Sequence, residues 1–212
     1  MLRVTVICTD PRHPVNAALE EWFSEIASVA DARLARSASE AEGGDFLFLV
    51  SCQELVRPEA RKRYRHVLVL HASALPNCRG MSPHIWQILD GHTQLTMSLL
   101  NADDPVDSGD VWEQIPFHVP KSATFNEINA TLFSAQTRLM TWALENCDRS
   151  RPTPQQGVPT HCRRRSPADS ELDPQRTLAD SFDLIRVADP VRYPAYFTLH
   201  GRKFRIMIEP MQ

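Results

Sequence analysis

A doubly wound α/β fold is predicted by three features of the 212-residue sequence. Short apolar runs at residues 2–7, 46–50 and 66–70 end in loops rich in Pro, Asp or Gly. Segments of helical period lie between them, and the alternation strand, helix, strand, helix, strand is the signature of a parallel sheet. No internal repeat or low-complexity tract interrupts it.

The first strand is read at Leu2–Ile7, closed by Cys8-Thr9-Asp10-Pro11-Arg12-His13-Pro14. Val15, Ala18, Leu19, Trp22, Phe23, Ile26, Ala27 and Ala30 then recur at three- and four-residue steps, which predicts an amphipathic helix over 15–30. Phe46–Val50 is apolar without alternation, as in a strand buried on both faces. Glu54–Tyr64 reads as a charged surface helix, and His66–Leu70 as a strand delivering the chain to His71. Further on, Met81–Leu89 suits a helix, Leu95–Leu100 and Val111–Val119 suit strands, and Thr124–Asn146 suits a long helix with Ile128, Leu132, Ala135, Leu139 and Trp142 on its apolar face.

After this the composition changes. Residues 149–173 carry many prolines and arginines and little apolar material, as expected of a linker lying over a surface. A short helix at Leu178–Val187 and a hairpin of Ala195–Leu199 with Lys203–Ile208 follow. The expected organisation is a catalytic unit at 1–148, a Pro/Arg-rich linker at 149–180, and a helix plus hairpin at 181–212. That tail is too small to fold alone, so it is expected to pack on the main body or to join a homodimer.

Composition excludes several classes. With 23 Lys plus Arg against 26 Asp plus Glu, the net charge of −3 provides no overall field for a nucleic acid. No apolar run approaches the ~20 residues needed to cross a bilayer, and the N-terminal residues lack the pattern of a secretory signal, so a cytoplasmic protein without a membrane partner is expected. Five cysteines at positions without metal-ligand spacing point to reduced thiols rather than a disulfide framework or a metal site.

In an open α/β sheet, ligands bind beyond the carboxyl ends of the strands, which singles out His71 and the Asp107 loop. His71-Ala72-Ser73-Ala74-Leu75-Pro76-Asn77-Cys78-Arg79-Gly80 resembles the His-x-Ser-Leu-Leu-Pro-x-x-x-Gly motif of the formyltransferases that use 10-formyltetrahydrofolate. Ser82-Pro83-His84-Ile85-Trp86-Gln87-Ile88-Leu89-Asp90-Gly91 and Val106-Asp107-Ser108-Gly109-Asp110 continue the resemblance in order. Three linked segments are more specific than one.

The resemblance implies a Rossmann-like formyltransferase fold with a small C-terminal helix and β-hairpin extension, and 10-formyltetrahydrofolate as formyl donor. It also implies His71 as the group that assists proton removal or stabilises the tetrahedral intermediate, Asp107 as the carboxylate that orients and charge-balances it, and Ser73 as a loop-shaping residue. Cys52, Gln53, Glu54, Leu55 and Val56, with Ala102, Asp103 and Asp104, correspond by order to the folate walls of relatives; no metal is implied. One departure stands out: the family places Asn two residues before the histidine, where its amide meets the developing oxyanion, and this sequence has Val69.

For the acceptor, the resemblance implies a small-molecule amine, with a nucleotide-linked amino sugar of surface polysaccharide synthesis as the leading expectation. It rests on the Ser-Pro-x-x-Trp-Gln-Ile stretch and on the lack of residues for a large RNA-binding barrel. Arg79, Gly80 and Trp86 are the expected acceptor contacts, and the Arg163–Arg165 run is a further phosphate candidate. The alternatives are a non-sugar amine or hydroxylamine such as N-hydroxyornithine, and a folate- or nucleotide-binding relative without turnover.

Overall fold

The computed structural model describes residues 1–211. Its centre is a sheet of six strands, β1 (Leu2–Ile7), β2 (Ala30–Ala35), β3 (Gly44–Leu49), β4 (Tyr64–His71), and two later ones. After the two-residue β5 (Arg79–Gly80), these are β6 (Gln94–Asn101) and β7 (Val111–His118). The order across the sheet is β2-β1-β3-β4-β6-β7; the first four run parallel, and β6 and β7 run antiparallel to their neighbours.

Period-two packing explains why β3 reads as a continuous apolar run. Val4, Val6, Phe46, Phe48, Leu68 and Leu70 enter the main core on one face, while Ile7, Leu47 and Tyr64 form a smaller core on the other. The main face is covered by α1 (Val15–Ile26) and by the long C-terminal helix of the sheet unit, which spans Phe125–Asn146. Trp22 on α1 is buried against Phe48, and its indole N–H donates to Thr141 Oγ1 at 2.9 Å, tying the two helices together. The long helix starts in a capping box, with Thr124 and Glu127 satisfying each other's backbone N–H groups.

Two expectations are corrected. The first helix, expected over 15–30, stops at Ile26, and residues 30–35 form β2, a strand not expected: Ala-Asp-Ala-Arg-Leu-Ala has little β signal, and the strand forms because β1 pairs it along six residues. The expected helix over 54–64 shrinks to α2 (Pro58–Arg61); residues 52–56 stay irregular, with Val56 buried in the second core. Between β5 and β6, α3 (Pro83–Leu89) forms as expected, and the Phe125–Asn146 helix is α4.

The stretch read as a linker is bound to the body. β8 (His161–Cys162) pairs in parallel with β5, and Thr153 bridges to Val111. The thiol expectation is overturned here: Cys78 and Cys162, 84 residues apart in sequence, are joined in a disulfide. Pairing of β5 with β8 sets Gly80 beside Cys162 and brings the Cα atoms of Cys78 and Cys162 to 4.8 Å, so the bridge follows from a long-range ladder with no local spacing to announce it. Cys8 and Cys147 are buried free thiols, and burial pushes the Cys147 thiol up to about 12.

Beyond it, β9 (Glu171–Leu172), α5 (Leu178–Arg186), β10 (Ala195–Leu199) and β11 (Arg202–Ile206) enclose a small core of Leu172, Ile185, Ala188 and Ala195. Two arginines dock this tail. Arg186 is buried, pairs with Asp183, and donates to the carbonyls of Pro120 and Ala123; Arg192 donates to Asp189 and reaches Asp10 at 2.8 Å.

Candidate active site

At the carboxyl end of β4, His71 is buried with only 5% of its surface exposed. Its Nε2 lies 2.8 Å from the Cys78 carbonyl oxygen. A carbonyl only accepts, so Nε2 carries a hydrogen and Nδ1 is the nitrogen left to take a proton. Nδ1 faces Asp107 Oδ2 at 3.5 Å, and that same carboxylate oxygen accepts the Gly80 N–H at 2.8 Å.

The loop from 72 to 80 is held from inside. Ser73 is buried, donates to the Asn77 carbonyl at 2.6 Å, and accepts at its own carbonyl from Ser98 Oγ. Its hydroxyl is committed to loop geometry and does not line the cavity beside His71. Gly80 has φ of 109°, and a Cβ there would strike the Cys162 carbonyl oxygen, so this position admits only glycine.

His71, Gly80 and Asp107 lie on one cavity of about 760 Å³. Cys52, Gln53, Glu54, Leu55 and Val56 line it after β3, and Ala102, Asp103 and Asp104 line it after β6. Arg61 donates to the Ala102 carbonyl and to Asp104, fixing that second wall. Val69 lies on the cavity two residues before His71 and offers no donor.

Arg79 and Trp86 are elsewhere. The Arg79 guanidinium donates to Gln155 Oε1 at 2.7 Å, while the Trp86 indole N–H donates to the Arg163 carbonyl with the Arg163 guanidinium stacked 4.6 Å from its ring. Arg163 itself pairs with Asp169. Its neighbours Arg164 and Arg165 line the cavity, and neither makes an ion pair among the described residues.

Sequence reasoning did not find His13, His84, Asn129 and Gln136, which also line the cavity. Burial lowers His84 to about 4, with like-charge repulsion from His13 once that ring is protonated and from Arg165 adding to it, and burial with the nearby Arg192 lowers His13 to about 4. Both are neutral imidazoles near pH 7, and His13 Nδ1 accepts the Val15 N–H. Asn129 Nδ2 and Gln136 Oε1 are sealed from solvent without a hydrogen-bond partner among the described residues. Two turns apart on α4, these amides interrupt an apolar face, which is the only mark they leave in the sequence.

The Formyl transferase family model matches residues 9–144, which hold β4, His71 and Asp107. This chain belongs to the formyl transferase family. Among individual relatives, it is 25% identical over 140 residues to a methionyl-tRNA formyltransferase of Francisella philomiragia, a match covering 66% of this chain and 44% of that protein. The chain thus spans under half the length of that relative. In solved structures, HypX from Aquifex aeolicus in complex with tetrahydrofolic acid superposes with a TM-score of 0.82 at 19% identity, covering 98% of this chain and 37% of the other. A 4-N formyltransferase from Francisella tularensis gives 0.76 at 14% identity, covering 100% and 98%. At those identities the structural likeness speaks for the fold.

Proposed function

We propose that this formyl transferase family member transfers a formyl group from 10-formyltetrahydrofolate to the amine of a nucleotide-linked amino sugar. The observation that carries the acceptor class is the pair Arg164 and Arg165. Arg61 and Arg192 at the same cavity pair with Asp104, Asp10 and Asp189, whereas Arg164 and Arg165 make no side-chain ion pair among the described residues, Arg165 donating to the Asp169 carbonyl and to Ser170 Oγ. A guanidinium pair of this kind suits a diphosphate.

The donor reading is supported by the fit of the cavity. Its 760 Å³ falls within the range for cofactor-sized ligands, and the segments 52–56 and 102–104 line it together with His71 and Asp107. The bound donor supplies a formyl carbon. His71 Nδ1 takes the proton that the attacking amine loses as its bond to the formyl carbon forms and returns it to the donor nitrogen whose bond to that carbon breaks, Asp107 balances the transient charge, and the Gly80 N–H keeps the carboxylate in place. Buried surroundings strengthen both interactions relative to water.

The test is incubation with 10-formyltetrahydrofolate and a panel of GDP-, dTDP- and UDP-linked 3- and 4-amino sugars, read by mass spectrometry for a gain of one formyl group. Formylation of one member, with its KM raised at least tenfold in Arg164→Ala or Arg165→Ala and the donor KM unchanged, is the expected result. Formylation of methionyl-tRNA or N-hydroxyornithine alone overturns the acceptor class and keeps the reaction. Failure of all acceptors with intact donor binding points to a binding protein.

A further inference from the structure

We propose that Gln155 is a positioning residue that holds Asp107 against His71, with Arg79 holding Gln155 in turn. The inference rests on the reading of His71 and Asp107 as the reacting pair. Gln155 lies outside the segment that matches the family model, 48 residues beyond Asp107, on a stretch that looks like a linker in sequence.

The side-chain amide of Gln155 is used completely. Nε2 donates to the carbonyl of Asp107 at 2.9 Å and to the carbonyl of Gly109 at 2.8 Å. Oε1 accepts from Arg79 Nε at 3.2 Å and from Nη2 at 2.7 Å. Two hydrogens and two lone pairs therefore meet four partners, which fixes the amide plane and its orientation without a flip being possible.

What this amide grips is the backbone that Asp107 needs. Asp107 has φ of 58°, in the left-handed region that costs energy for any residue with a Cβ. Rotation of Asp107 toward an ordinary φ would swing its carbonyl off Gln155 and carry Oδ2 away from His71 Nδ1. The side chain is held at one end by the Gly80 N–H and the main chain at the other by Gln155.

Both holds converge on one two-residue strand. Gly80 supplies the N–H to the carboxylate and its neighbour Arg79 supplies the guanidinium to Gln155, while β5 as a unit pairs with His161 and Cys162. Asp107 is thus clamped from main chain and side chain by a single piece of structure, and displacements of about 1 Å in such a group cost on the order of 100-fold in rate.

The experiment compares Gln155→Met, Arg79→Met and Asp107→Asn in the full chain, with ¹⁵N-histidine NMR of the His71 ring as the primary reading because it reports tautomer and hydrogen bonding and needs no ligand. In Gln155→Met the His71 ring nitrogens shift in the same direction as in Asp107→Asn. With whichever panel sugar is formylated, kcat falls roughly 10- to 100-fold while the donor KM changes less than threefold. Wild-type His71 resonances in Gln155→Met overturn the proposal whatever the activity does. Should that variant fail to fold, Arg79→Met carries the same reading, with a smaller shift expected and wild-type resonances again overturning it. If the resonances move but His71→Ala still transfers formyl groups at the wild-type rate, the hold of Gln155 on Asp107 stands and the role of the pair in the reaction falls.

Discussion

Asp107 Oδ2 sits 3.5 Å from His71 Nδ1 and 2.8 Å from the Gly80 nitrogen, so one carboxylate oxygen faces both a titratable ring and a peptide N–H. The Gly80 N–H fixes the carboxylate, and the fixed carboxylate faces the ring nitrogen that the Cys78 carbonyl leaves free. Loss of either residue breaks the arrangement at a different point.

On the proposed roles, His71→Ala removes the proton acceptor and Asp107→Asn removes the compensating charge. Each is expected to lower kcat by about 10²- to 10⁴-fold with an unchanged circular dichroism spectrum. Steady-state kinetics on the formylated acceptor is the check, and activity within threefold of wild type in both variants would sink the assignment.

Val69 lines the cavity with a hydrocarbon, where the motif resemblance implies an amide. Val69→Asn adds a donor near the carbonyl oxygen that gains charge, and a single such donor is worth roughly 10²- to 10³-fold where a site is built around it. In a site adapted to valine the expected gain in kcat is smaller, about tenfold. A fall in kcat would show that the site around Val69 has been reorganised against an amide.

His13 and His84 impose an acid limit on stability. Both sit near 4 when folded and near the ordinary histidine value of about 6.5 when unfolded, so between those values the unfolded chain binds more protons. Their contribution is complete above about 6.5 and is lost as the pH falls to about 4. Thermal melts should therefore show Tm declining from pH 7 to pH 4, and His84→Gln should flatten the decline; an unchanged slope would contradict the burial of that imidazole.

The Cys78–Cys162 bridge closes a loop of 84 residues, for which chain entropy sets a ceiling of about 4.5 kcal/mol of stabilisation. Cys162→Ser is expected to lower Tm by about 10 °C. Peptide mapping without reductant should recover the linked peptides, and two separate free thiols together with an unchanged Tm would refute the bridge.

The sequence announced the parts of the molecule governed by local periodicity. β1, β4, β6 and α4 stand within one or two residues of their expected bounds because each has a dominant apolar pattern set by burial. The strand β2 was hidden because Ala, Asp and Arg form it only under pairing by β1. Of the site, His71 and Asp107 were legible through a motif, whereas Arg79 and Trp86, read as acceptor contacts, turn to Gln155 and Arg163. Their partners lie more than 70 residues away, and no local pattern encodes such a pairing.

The return of residues 153–165 to the sheet unit also gives the molecule a temporal order. All six strands of the central sheet and α4 are complete in sequence by Asn146, so they leave the ribosome before Gln155, Cys162 and Arg164. At synthesis rates of about 5–20 residues per second, about a second or more separates synthesis of Asn146 from synthesis of Cys162, the partner of Cys78. The residues that build the sheet are therefore available to the chain before those that complete this wall of the cavity.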